Sequence, residues 1–179
     1  MQSKSAIPSY SECMALLSKY EMPENIRAHC IAVSKIAVFI AERISTLGGN
    51  VDVSLVRAGA LLHDIDKIIE IKNKSGKHGV MARKILRREG YPEVAKVAER
   101  HVLHNIINEG AKFSIEEKIV FYADKRVKHD KVVSLDERFE YLRKTYPQHL
   151  ENVIRAEPLT KELEKELMSA AGIRADEIK

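Results

Sequence analysis

Seven histidines carry most of the chemistry open to this chain: His29, His63, His78, His101, His104, His129 and His149. The first five recur beside apolar residues at helical spacing. His29 lies next to the stripe Ile26, Cys30, Val33, Ala37, Ile40, Ile44 and Leu47. His63 follows Val56 and Ala60, and Gly59 one turn earlier lets another group approach closely. His78 shares a face with Met81, Ala82 and Ile85, and His101 and His104 continue the line of Val94 and Val97. Asp124, between Val120 and Val127, places a carboxylate in an apolar stripe. A lone histidine on such a face is ordinarily a hydrogen-bonded core residue. Repetition on successive helices changes that reading, because every buried polar group is costly without a partner. Convergence on a metal is the economical solution, and neutral imidazole with carboxylate suits Fe, Mn, Zn or a similar divalent ion.

The tightest local signal is His63-Asp64, within Leu61-Leu62-His63-Asp64-Ile65-Asp66-Lys67. Adjacent side chains on a helix diverge by about 100°, yet at a helix end both can reach one ion or two neighbouring ones. Lys67, four residues after His63, falls on the same side if the turn continues, where its cation could hold a phosphate oxygen.

These residues need helices to carry them. The periodicity predicts a helix through Ile26–Leu47 that ends at Gly48-Gly49, a second from about Asp52 to His63, and a polar stretch over Glu70–Lys77. A third helix covers about His78 to Glu89 with Gly90 at its end, and a fourth starts near Pro92 and reaches about His104. Ser114 with Glu117, and Ser134 with Glu137, form capping-box patterns. Further helices are predicted from Ser134 to about Lys144 and from about Thr160 to Ala171. In the last, Leu159, Leu163, Leu167 and Ala170 form a narrow stripe that packs on the core, with a homodimer contact as the alternative. No segment reads as a strand, so the fold class is all-α.

Net charge is +4, from 30 basic and 26 acidic side chains, a balance too even to imply nucleic-acid binding. Hydrophobic residues make up 45% of the chain, enough for a real core. The N-terminus lacks the apolar run of a signal peptide and no stretch is long enough to span a bilayer, so a cytoplasmic protein without a membrane partner is expected. Cys13 and Cys30 lack CxxC spacing and read as buried thiols in a reducing compartment. Lys72, Lys74 and Lys77, and then Lys125, Arg126, Lys128 and Lys131, form basic clusters that are either solvated surface or an electrostatic funnel for a polyanion. His129-Asp130 repeats the dipeptide in a polar stretch and is not expected to repeat its chemistry; His149 reads as a surface turn. No Walker loop, dinucleotide-binding glycine pattern or nucleophile triad is present.

The ordered set His29, His63-Asp64, His78, His101 and Asp124 resembles the HD superfamily of metal-dependent phosphohydrolases. The Ala-Gly-Ala-Leu-Leu-His-Asp helix, Lys67 and Tyr122-Ala123-Asp124-Lys125 share in the resemblance, which covers roughly Arg27 to Asp124. It implies a helical HD core over about 22–131 and a C-terminal helical extension over about 132–179 within a single domain. It also implies one metal on His29, His63, Asp64 and Asp124, and a second joined by His78 and His101. Within the superfamily the chain is most similar to small bacterial proteins that hydrolyse diadenosine tetraphosphate symmetrically at a di-iron site. The family often carries Gly where this chain has Asp66, which adds a negative charge beside Lys67. His104, one turn from His101, is a second-site ligand, an outer group or an acid, with His101 preferred as ligand.

The function expected is hydrolysis of a phosphoester or phosphoanhydride of a nucleotide or dinucleotide by metal-activated water. Asp64, Lys67 and His104 are the catalytic candidates; Lys67, Lys72, Lys74, Lys125 and Arg126 are the phosphate-binding candidates. Two divalent ions are expected, Fe or Mn ahead of Ni, Co, Zn or Mg. The alternative is an HD domain that binds a nucleotide or partner in signalling without hydrolysis. A ferritin-like iron protein is a third reading, weakened because that class uses Glu-x-x-His pairs.

Overall fold

The computed structural model describes residues 7–73 and 76–179. Ser9 and Glu12 close a capping box at the start of α1 (Tyr10–Lys19), which buries Cys13, Leu16 and Leu17. The long helix α2 (Glu24–Thr46) buries Cys30, Val33, Ala37, Ile40 and Ile44 along the predicted stripe. Asp52 caps α3 (Val53–Leu62), accepting from the Leu55 amide at 3.0 Å. The chain continues through α4 (Lys67–Asn73), α5 (Val80–Arg88), α6 (Pro92–Arg100), α7 (His104–Glu109) and α8 (Ile115–Lys125). A two-residue hairpin pairs β1 (Val127–Lys128) with β2 (Lys131–Val132), and α9 (Leu135–Thr145) and α10 (Leu150–Ala171) complete the chain. The protein is all-α apart from that hairpin.

Two apolar clusters hold the helices together, and α3 lies between them. Val56 and Ala60 face the larger one, built from α2, α8, α9 and α10. Ala58, Leu61 and Leu62 face the smaller one, built from α1, α5 and α6. Leu61 and Leu62 are fully buried, each worth about 1.5–3 kcal/mol of apolar burial. Gly59 permits the α3–α6 contact: a Cβ there would stand 2.5 Å from Val97 Cγ1. The helix that carries His63-Asp64 at its end is thus held on both sides.

Five expectations are corrected. The polar stretch after the His-Asp pair is partly helical, as α4, and buries no residue fully. The helix from Pro92 stops at Arg100, and a turn separates it from α7. The last helix begins at Leu150 and passes through Pro158; burial of Val153, Ala156, Thr160, Leu163, Leu167 and Ala171 offsets the one backbone bond that proline forfeits. Its buried face is accordingly shifted, leaving Leu159 and Ala170 exposed. Ser134 caps α9 as expected, but Glu137 turns to Lys128 at 2.6 Å instead of completing the box, whereas Ser114 and Glu117 exchange both bonds. No helix of the described residues is long and apolar enough to cross a membrane.

Candidate metal centre

Helix ends bring the chemistry together. His63 and His101 are the residues directly after α3 and α6, and Asp124 lies in the last turn of α8. Helix C-termini expose unpaired carbonyls and the negative end of the helix dipole, so three such ends favour a cation between them. The Nδ1–H of His63 donates to the Ala60 carbonyl at 2.7 Å, and that of His101 donates to the Ala98 carbonyl. His29, inside α2, donates instead to the His129 carbonyl at 2.7 Å. His78, just before α5, donates to Asp66 Oδ1 at 2.8 Å. Carbonyl and carboxylate oxygens only accept, so all four rings carry a proton on Nδ1 and turn Nε2 inward.

The Nε2 atoms converge on two buried carboxylates. His29 Nε2 is 3.0 Å from Asp124 Oδ1, and His63 Nε2 is 3.7 Å from the same oxygen and 3.8 Å from Asp64 Oδ2. Asp64 Oδ1 is 3.1 Å from His78 Nε2 and 3.4 Å from His101 Nε2. Among the described residues, two groups have donor atoms within 4.8 Å of one another: His29, His63 and Asp64, and Asp64, His78 and His101. Asp64 belongs to both.

This arrangement needs positive charge. Burial favours neutral Asp64, yet the Lys67 charge and the surrounding histidines hold its carboxyl well below the usual range. Asp124 is likewise held down against burial by Lys125 and His29. Burial pushes His63 down to about 4, and its Nε2 has no hydrogen-bond partner. The His78 and His101 Nε2 atoms are only 2.9 Å apart, so one must carry a proton. Burial opposes charge on His78, but hydrogen bonds to Asp64 and Asp66 outweigh it and lift the group to about 9. Without a metal, a proton on His78 holds that pair together, while His63 points a lone pair at carboxylate oxygens. An unpartnered imidazole nitrogen facing two ionised carboxylates fits a divalent cation.

Comparison with known proteins agrees with this chemistry: the HD-domain family profile matches residues 26–127. The chain belongs to the HD-domain family. An uncharacterized protein of Methanocaldococcus jannaschii is 39% identical over 126 residues, covering 64% of this chain and 73% of that protein. A Thermoplasma volcanium protein named tRNA (cytidine(56)-2'-O)-methyltransferase is 34% identical over 184 residues, and one of the same name from Picrophilus torridus is 29% identical over 184 residues. Each of these alignments covers 96% of this chain but only 50% of the relative, so the chain spans half the length of those two proteins. No solved structure matches it.

The HD domain gathers His29, His63, Asp64, His78, His101 and Asp124, and sets Lys67 at their edge, its Nζ 3.9 Å from Asp64 Oδ1. The Asp64 charge, working against burial, raises the Lys67 pKa. His104 does not join them: it is exposed at the start of α7, while His101 is buried beside Asp64. Lys72 is exposed on α4, and Lys74 lies outside the described residues. Two of the phosphate-binding expectations are corrected. Lys125 is buried, its Nζ bonded to Asp124 and, at 2.9 Å, to the His101 carbonyl, so it is held inside the cluster instead of facing solvent. Arg126 is also buried, its guanidinium engaged by Tyr122, the Val133 carbonyl at 2.7 Å and the Ala175 carbonyl at 3.1 Å. A cation committed to internal acceptors is not available to a phosphate.

Sequence reasoning missed two supports of the HD site. Asp66 looked like a charge beside Lys67. It is fully buried, orients His78, and accepts the Gly79 and Ala82 amides at 2.8 and 3.0 Å. The His129 carbonyl was missed because a main-chain acceptor leaves no mark on residue type.

Proposed function

We propose that this HD domain is a metal-dependent phosphohydrolase that cleaves a phosphoester or phosphoanhydride of a nucleotide or dinucleotide. One observation carries the reading: Asp64 is shared by two histidine groups, with the Lys67 ammonium at their edge. His29, His63, Asp64 and Asp124 would hold one divalent ion, and Asp64, His78 and His101 a second; nitrogen and oxygen donors suit Fe, Mn, Zn or a similar ion. Such ions lower the pKa of water towards neutrality and neutralise charge on phosphoryl oxygens.

The chain's own residues supply the rest. Asp64, ionised and buried, accepts a proton-bearing water and aims it at phosphorus. Lys67, 36% exposed at its side chain, meets a phosphoryl oxygen from the solvent side. Lys72, exposed on the same helix as Lys67, and Lys74, two residues further along the sequence, attract a polyanion.

A second reading comes from the relatives named as tRNA methyltransferases. Because the chain matches half of each, the HD module in those proteins accompanies a further segment of similar length, and the phosphate it acts on could belong to RNA.

The test is metal content after anaerobic purification, paired with phosphate release from mononucleotides, dinucleoside polyphosphates including diadenosine tetraphosphate, and short RNAs. About two ions per chain and metal-dependent release establish the hydrolase, and the panel separates nucleotide from RNA. Metal without turnover on any substrate returns the chain to the binding-module reading. No metal, even with added Mn or Fe, overturns the proposal.

A further inference from the structure

We propose that His129 and Tyr141 are positioning residues for His29, so that the segment beyond the HD match completes one half of the metal centre. The inference rests on the metal-dependent reading of the site. Three of the four inward-facing histidines draw their Nδ1 acceptor from within the family match: Ala60, Ala98 and Asp66. His29 does not. It sits inside α2, and its acceptor comes from another segment. That acceptor is the His129 carbonyl, two residues past the end of the match at Val127.

The local backbone at His129 makes this more than a passing contact. Lys128 pairs with Lys131, leaving His129 and Asp130 as a two-residue hairpin loop. His129 adopts φ 58°, a left-handed conformation that favours glycine at such a turn. A residue with a side chain adopts this conformation less readily than glycine, and here the ring is engaged. The imidazole packs edge-to-face on Tyr141 of α9, centroids 5.6 Å apart. Tyr141 is in turn flanked by the Lys128 and Arg138 cations, and Lys128 bonds Glu137 of the same helix at 2.6 Å. Ring, turn and helix together fix the direction of one carbonyl, and that carbonyl sets the orientation of His29 towards Asp124.

The geometry makes the two halves of the centre separable. His78 and His101 take nothing from the hairpin, whereas His29 depends on it. His129→Gly removes the ring while relieving the backbone. Tyr141→Leu removes the aromatic partner, and Tyr141→Phe retains it. The experiment is a Mn2+ titration of the full chain, followed by electron paramagnetic resonance of free Mn2+, with thermal melts of the metal-free variants. In His129→Gly and Tyr141→Leu, one Mn2+ is expected to weaken by roughly tenfold, the lower end of what loss of an outer partner to a ligand costs. The other Mn2+ should keep its affinity, Tyr141→Phe should bind as wild type, and the metal-free Tm of His129→Gly should not fall by more than about 3 °C. Unchanged Mn2+ affinity in both altered variants overturns the proposal. So does weakening that accompanies a large fall in Tm, which is the mark of a merely structural role. A wild-type chain that binds no Mn2+ overturns the metal reading itself, and this inference with it, so the two failures are told apart in the same titration.

Discussion

Asp66 Oδ1 accepts the Nδ1–H of His78 at 2.8 Å, while its second oxygen accepts the amides of Gly79 and Ala82. One buried carboxylate therefore orients a candidate ligand and caps the first turn of α5. Gly79, at φ 83° and close against Val102, lets the chain enter that turn. Asp66 is thus a structural part of this site.

Asp66→Asn tests the dual role. An amide oxygen can still accept from the backbone, but the amide nitrogen cannot accept from His78. Metal affinity at the His78 side should fall by roughly 10–100-fold, with a stability loss of about 1–2 kcal/mol. Titration calorimetry and urea melts read the two effects separately. Unaltered affinity would show that His78 needs no orientation from Asp66.

Asp64→Ala removes the one group common to both histidine sets. Phosphate release should drop by roughly 10³-fold or more, about 4 kcal/mol of barrier, while far-UV circular dichroism stays near wild type. Retained turnover would remove Asp64 from the mechanism.

The pH dependence of the metal-free chain has a defined sign. His78 is lifted to about 9 from its ordinary 6.5, despite burial, by its bonds to Asp64 and Asp66. Its protonation stabilises the fold fully below pH 6.5 and is lost as pH rises through about 9. A metal takes the place of that proton. The gap in Tm between Mn2+-loaded and chelator-treated protein should therefore widen from pH 6.5 to about 9. A gap that narrows over this range would place the proton elsewhere.

Gly59→Ala should destabilise by about 1–3 kcal/mol, because the new methyl would stand 2.5 Å from Val97 Cγ1. Adding Val97→Ala should recover part of the loss, and denaturant melts of the single and double variants measure that coupling. Additive effects would mean that α3 and α6 shift apart without resistance.

Cys13 and Cys30 are fully buried, and burial pushes Cys13 up to about 12 and Cys30 well above its ordinary value. Neither should react with a thiol reagent at pH 8 until the chain is unfolded, since the thiolate is the reactive form. Rapid labelling of the native protein would point to opening of the α1–α3 region.

Much of this protein was written in residue order. Apolar spacing marked α2, α3 and α5, the Ser114 box marked the start of α8, and Gly59 announced a close helix contact, because these depend on neighbours within a few turns. The ordered histidines and aspartates likewise announced a metal centre, since so many buried polar groups at helix ends have few other partners. The tertiary structure decided what each group does there. It separated His101 from His104 by ending α6 at Arg100, and it drew Lys125 and Arg126 inward onto carbonyls and carboxylates. It also gave Asp66 a helix to cap and His29 a carbonyl from a distant hairpin. Hydrogen bonds between segments far apart in sequence, and above all those to the main chain, depend on position and not on residue type, so only the folded chain reveals them.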